Sequence, residues 1–238
     1  AAATTGQIGS LNGAAAFTVT GSPSLQALNI RSTANTNTVS GGTITLGSIA
    51  APGQGAGLFL AHTSNNGITH SSNFAFGSQE GLIYAATTGG TSGSITLSGV
   101  LSGSNGVTRF GDGILILSGA NTFTGPLTIN SGETRLNNLA AAGGSATTPG
   151  EVNLYGGSLY LNATGRYYTN ITVRDNARIG NVNVGSSGFN NLTIEPRTGS
   201  DAPVILWHQD QAGSNSTTVW GGLTLNGNDQ FDIPHVFQ

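Results

Sequence analysis

The chain has 238 residues, a formal net charge of −3, only 7% charged residues and no cysteine. All seven basic residues are arginines scattered along the chain, which leaves no electrostatic footprint for nucleic acid. No cysteine means no disulfide framework, and no window approaches the ~20 continuous apolar residues of a membrane-spanning helix. Glycine supplies 38 residues, and the 37% hydrophobic residues recur in short periodic runs, which excludes a disordered chain.

Residues 1–35 hold two expected strands, Ala16–Thr20 and Gln26–Arg31, parted by Gly21-Ser22-Pro23. Alternation is weaker here than later, as in the atypical terminal coil that shields an open core. The segment reads as an N-terminal cap or an arm that docks elsewhere. Ala1-Ala2-Ala3-Thr4-Thr5 looks like the remnant of cleavage at an Ala-rich signal site, and an arbitrary boundary fits equally well.

From residue 36 to residue 200 one form recurs: apolar, outward residue, apolar. Residues i and i+2 of a strand share a face, so each triplet sends two apolar side chains into a core. Thr43–Leu46, Gly57–Leu60, Phe74–Phe76 and Gly81–Ala85 come first, separated by Pro-Gly and Asn-Gly turn dipeptides. The clearest copies follow at Ile95-Thr96-Leu97, Leu115-Ile116-Leu117 and Leu127-Thr128-Ile129. Further triplets start at Val152, Leu159, Ile171, Val182 and Leu192, the last four at closely similar spacings. Two or three such strands per coil give a rung of roughly 20–30 residues, and the chain would stack about eight to eleven rungs. At ~4.8 Å per rung the rod would be on the order of 40–50 Å long.

Residues 201–238 change character. Asp201–Asp210 is a longer apolar run, Leu223-Thr224-Leu225 is another triplet, and Phe231–Phe237 alternates like an edge strand broken by Pro234. This reads as a terminal cap or an exchanged strand. No linker divides the chain, so the expectation is one domain over 1–238: a cap or arm at 1–35, repeat coils at 36–200, and the C-terminal segment at 201–238.

Residues 93–137 add a sharper pattern. Ile95-Thr96-Leu97-Ser98-Gly99, then Gly111-Asp112-Gly113-Ile114-Leu115-Ile116-Leu117-Ser118-Gly119-Ala120-Asn121-Thr122-Phe123, then Leu127-Thr128-Ile129-Asn130-Ser131-Gly132 resemble the autotransporter-associated β-strand repeat of bacterial passenger proteins. The resemblance covers about a fifth of the chain. It implies an all-β, right-handed parallel β-helix (a β-solenoid), export, and a secreted or cell-surface home. It implies no single activity, because such passengers include adhesins, matrix components and carriers of enzyme domains. Three departures stand out. Arg109-Phe110 replaces the usual Lys before the Gly-x-Gly turn, Ile114 and Ile116 stand on what should be an outward face, and no translocator barrel is visible in these residues.

The chemical signals are thin. Ile114 and Ile116 beside Leu115 and Leu117 make a strand apolar on both faces, covered either by a loop or by a neighbouring protomer. Asn121, Asn130, Asn137 and Asn138 suit ladders that satisfy backbone groups. Asn162, Asn170, Asn191 and Asn215 open glycosylation sequons, which chance explains in a chain of this composition. Trp207, His208 and Trp220 either plug a core end or stack on a sugar. Tyr155, Tyr160, Tyr167 and Tyr168 accompany Arg166, Arg174 and Arg178, a set that either stabilises a surface or grips a sugar chain. Asp229 and Asp232 with Asn226 and Asn228 fit no calcium loop, and His62, His70 and His235 fit no zinc pattern, so no metal or cofactor is assigned.

The acids are scattered, and no nucleophile motif or phosphate loop is present, which argues against an enzyme. The leading expectation is therefore a structural extracellular solenoid that self-associates as a homo-oligomer or homopolymer, in filaments or a matrix. Its candidate contacts are Ile114, Ile116, Phe231, Ile233, Val236 and Phe237. The alternative is a glycan- or host-binding adhesin module using Trp207, Trp220, Tyr167 and Tyr168. A polysaccharide-acting β-helix enzyme comes third.

Overall fold

A computed structural model describes residues 8–13, 16–33, 38–47, 55–87, 93–182, 185–195, 204–208, 216–219, 221–226 and 230–232. Every strand pair in it is parallel, and successive partners are one coil apart in sequence. This is the wiring of a parallel β-helix: each strand hydrogen-bonds to its counterpart in the coil before and the coil after. No described residue is helical.

The longest face is a ten-stranded sheet that runs from Ile8–Gly13 to Leu223–Leu225. At the parallel strand spacing of ~4.8 Å, its ten strands extend about 43 Å along the axis. A second face has eight strands, from Ile68–His70 to Gln230–Asp232. The third side is built from shorter sheets of four and three strands, while the two-stranded sheet of Phe17–Val19 and Val39–Gly41 precedes the second face, with Ser71 N bonded to Val39 O. The coils differ in length. The first is short, with Ile8 opposite Ala27, and the last on the long face is much longer, with Thr193 opposite Thr224.

The triplets explain this arrangement. On the long face Leu58, Ile83, Arg109, Ile129, Leu154, Val173 and Ile194 stack in one inward column. Every apolar member of that column is at most 1% exposed. Each such side chain contributes roughly 1.5–3 kcal/mol of burial. The residue between two inward positions faces out, and there β-branched threonine recurs: Thr108, Thr128, Thr172, Thr193 and Thr224 share one outward column with Asn153.

Of the expected triplet Val182-Asn183-Val184 only Val182 is described, its N bonding Leu161 O at 3.2 Å; the strand just before it is Ala177–Asn181, with Ile179 opposite Leu159. Residues 183 and 184 lie outside the described residues. Register with the neighbouring coil decides the strand, and Ala177, Ile179 and Asn181 are among its buried positions.

Two polar side chains hold the interior together. Asn121, 4% exposed, receives the Leu101 amide at 2.8 Å on Oδ1 and donates from Nδ2 to the Ala141 carbonyl at 2.7 Å, tying three successive coils. Arg109 is fully buried in the inward column, donating from Nη1 to Gly111 O at 2.8 Å and from Nη2 to Gly113 O. Its guanidinium thereby pins the Gly111-Asp112-Gly113 turn from beneath. Burial lowers its pKa to about 10, against the opposing pull of Asp112 and Glu133, so it remains charged at neutral pH.

Candidate functional site

An open groove lies on the outward side of the long face, around the strands Gly150–Leu154 and Thr169–Val173. A change in coil length creates it. Thr108 stands opposite Thr128, and Thr128 opposite Asn153, so the second of these two coils is the longer. The longer coil includes the turn 138–149, closed by Ala141 N to Asn138 O at 2.9 Å and Ser145 N to Thr148 O at 2.9 Å. That turn walls an open groove of about 540 Å³, whose floor includes Glu151, Asn153, Thr172 and Arg174 and whose rim includes Pro126 and Thr148.

Strand alternation sets the floor. Glu151, Asn153 and Tyr155 project outward from one coil, and Asn170, Thr172 and Arg174 from the next, while Val152, Leu154, Ile171 and Val173 between them are buried. The polar groups are held in place by one another. Asn170 Nδ2 donates to Glu151 Oε1 at 2.7 Å, and Asn191 Nδ2 donates to Asn170 Oδ1 at 2.8 Å. Arg174 forms an ion pair with Glu195, and its Nε donates to Asn153 Oδ1 at 3.4 Å. Its guanidinium also lies over the Tyr155 ring, 5.9 Å from the centroid, and Tyr155 is 48% exposed. An aromatic face beside planar amide, carboxylate and guanidinium groups has the chemistry to stack on a planar or cyclic ligand and to hydrogen-bond hydroxyls.

The aromatic residues named from the sequence divide in two. Tyr155 and Tyr168 are on the surface, Tyr168 with Arg166 5.4 Å from its ring centroid. Arg166 is held by Nε and Nη2 bonds to Asn190 Oδ1 at 2.9 and 2.7 Å. Tyr167 is a correction to the expected sugar-binding set: it is fully buried, and its hydroxyl receives Ala163 N at 2.9 Å and donates to Leu136 O. Burial pushes that phenol up to about 12. Tyr160 is also buried. Trp207 stands in register with Arg178 and Asp232. Trp220, Ile233, Val236 and Phe237 lie outside the described residues, as do Asn228, Asp229 and His235.

Ile114 and Ile116 are half-buried on the second face, between Ser94 and Thr96 of one coil and Glu133 and Arg135 of the next. Phe231 pairs in register with Leu206. His62 and His70 are buried. His70 Nδ1 accepts the Val39 amide at 3.1 Å, and burial followed by the charge of His62 lowers its pKa to about 4. Among the described residues no three His, Asp or Glu side chains converge as a metal site, and no helix is long and apolar enough to cross a membrane.

Sequence reasoning missed Glu151, Asn153 and Thr172 as a set. They are ordinary outward residues of separate strands, and only the register of the coils brings them together.

The passenger-associated-transport-repeat family matches residues 107–136, one coil and part of the next, which include Arg109, the Gly111–Gly113 turn and Asn121. The chain carries an autotransporter passenger repeat. Consistent with this, it is 40% identical over 101 residues to the adhesin BmaC autotransporter of Brucella suis biovar 1 (strain 1330). That match covers 42% of this chain and 3% of the much longer relative. No solved structure matches the chain. The passenger repeat places the protein among secreted or cell-surface proteins.

Proposed function

We propose that this chain is a non-catalytic, adhesin-type passenger segment that binds carbohydrate through the outward side of its long face. The observation that carries the reading is the groove beside Tyr155. Arg174 lines that groove with Glu151, Asn153 and Thr172, and its guanidinium also lies over the exposed ring of Tyr155. Pre-organised side chains lose little freedom on binding, which favours ligands that offer only a few hydroxyls at a time. The described carboxylates with assigned partners are engaged separately: Glu80 with Thr108, Glu133 with Arg135, Glu151 with Asn170, Asp175 with Asn176 N, and Glu195 with Arg174. Such dispersal suits binding better than glycoside hydrolysis, which needs two carboxyls across one bond.

The test is a printed array of neutral and acidic glycans probed with the intact chain and with Tyr155→Ala. Capture of a glycan subset that Tyr155→Ala abolishes is expected. An empty array, or hits indifferent to Tyr155, would overturn the reading.

Self-association is a second reading, favoured by Leu223 and Leu225. They continue the inward columns of Leu192 and Ile194 yet are 49% and 48% exposed. A following coil or a second copy stacked here would cover them. Light scattering at rising concentration tests it: growth in mass that Leu223→Asn with Leu225→Asn suppresses supports stacking, and a constant monomer mass excludes it. The one-domain organisation over 1–238 and contacts through Ile114 and Ile116 belong to the same proposal.

A further inference from the structure

One residue that lines the groove, Arg174, belongs to a column that runs along the long face. Along the long face, the outward column that contains Tyr155 and Arg174 continues back through Asn130 to Phe110, Tyr84 and Phe59. Phe59, Tyr84 and Phe110 are in direct register. Beyond them, Asn130 N bonds Arg109 O, Tyr155 N bonds Ile129 O and Arg174 N bonds Leu154 O, each one coil on. The three rings follow one another in tilted contact, with centroids 6.4 and 5.4 Å apart and interplanar tilts of 44° and 56°. Phe59 is 42% exposed, and Tyr84 and Phe110 are half-buried. Four steps of ~4.8 Å place Phe59 about 19 Å from Tyr155 along the axis.

Cross-strand aromatic pairs stabilise a sheet, and that accounts for the contacts between the rings. It does not account for so much aromatic surface left facing solvent on an outward column. The neighbouring outward positions are Leu82, Thr108 and Thr128; the flanking charges are opposite in sign, Glu80 engaged by the Thr108 hydroxyl and Arg31 diagonal to Phe59. An aromatic-lined track aligned with the axis, flanked by charges of opposite sign and reaching the groove at Arg174, matches a neutral chain of sugars laid lengthwise.

We propose that the ligand is a linear neutral polysaccharide that runs along the solenoid axis, stacking on Phe59, Tyr84 and Phe110 and ending over the Tyr155 groove. This inference rests on the carbohydrate-binding reading and adds the ligand's shape, charge and direction to it.

The probes are the neutral glycans captured on the array, each as a series from disaccharide to octasaccharide, titrated into the intact chain and into Phe59→Thr/Tyr84→Thr/Phe110→Thr. Threonine keeps β-propensity at these outward sites, and the single Tyr84→Thr variant serves if the triple variant does not fold. Affinity is expected to rise with chain length. The triple variant is expected to lose about tenfold for the octasaccharide, equivalent to ~1.4 kcal/mol, with less than a twofold loss for the disaccharide. Tyr84→Thr should show a smaller loss of the same kind. Equal affinity for short and long chains, or long-chain affinity unchanged in these variants, would overturn the axial track while leaving the Tyr155 groove standing. Capture of acidic glycans alone would also overturn it. An array with no hits would remove both.

Discussion

Asn121 is the residue whose replacement most directly probes how the coils are joined. Asn121→Ala removes the acceptor facing the Leu101 amide and the donor facing the Ala141 carbonyl, both within hydrogen-bond range at 2.8 and 2.7 Å. The site is 4% exposed, so water reaches the abandoned groups poorly. Each buried polar group left without a partner costs roughly 1–3 kcal/mol. Two such groups, together with the small cavity left behind, put the loss at about 4 kcal/mol. Asn130→Ala, at an exposed turn position of the same coil, should cost no more than about 0.5 kcal/mol. Urea unfolding at matched slopes measures both variants. Because coils stack as near neighbours, amide exchange at Leu101 should quicken before that of distant coils. A loss below ~1 kcal/mol for Asn121→Ala, or one equal to that of Asn130→Ala, would refute the view that this side chain ties three coils.

The His70 site predicts a pH dependence. Its folded pKa of about 4 lies below the ordinary 6.5, so as pH falls from 6.5 to 4 the unfolded chain takes up a proton that the folded chain refuses. Stability should therefore drop by up to about 3 kcal/mol across that window and level off below it, and His70→Asn should flatten the slope in urea midpoints taken from pH 8 to pH 4. Gly132, at φ 69°, leaves no room for a side chain beside the Arg109 guanidinium. Gly132→Ala should destabilise by ~2 kcal/mol or more in the same assay, from backbone strain plus displacement of Arg109. Tyr167→Phe, which removes a buried hydroxyl bonded to Ala163 N and Leu136 O, should cost about 2 kcal/mol and leave glycan capture unchanged, because Tyr167 does not reach the surface.

The fold was legible because its code is local. An apolar, outward, apolar triplet closed by glycine or asparagine states which side chains are buried without reference to any other coil, and Leu127–Ile129 and Leu192–Ile194 form strands as they read. One matter was not local. The triplets at Ile95, Leu115 and Leu159 belong to the second face and those at Leu127, Val152 and Ile171 to the long face, a division set by pairing between coils. The site was legible only in its aromatic and arginine content. Tyr155 and Arg174 come from successive coils, distant in sequence and adjacent in space. Whether a tyrosine such as Tyr167 faces in or out depends on a one-residue shift that composition does not reveal. Phe59, Tyr84 and Phe110 sit in separate segments with no shared motif, and their alignment emerges only from register.

The most direct test of a carbohydrate-binding long face is calorimetric titration of one glycan captured on the array into the intact chain, Tyr155→Ala, and Arg178→Ala, whose replaced residue is exposed on the second face. Binding that Tyr155→Ala weakens at least tenfold and Arg178→Ala leaves unchanged is the predicted result. Equal affinities in all three proteins would contradict it.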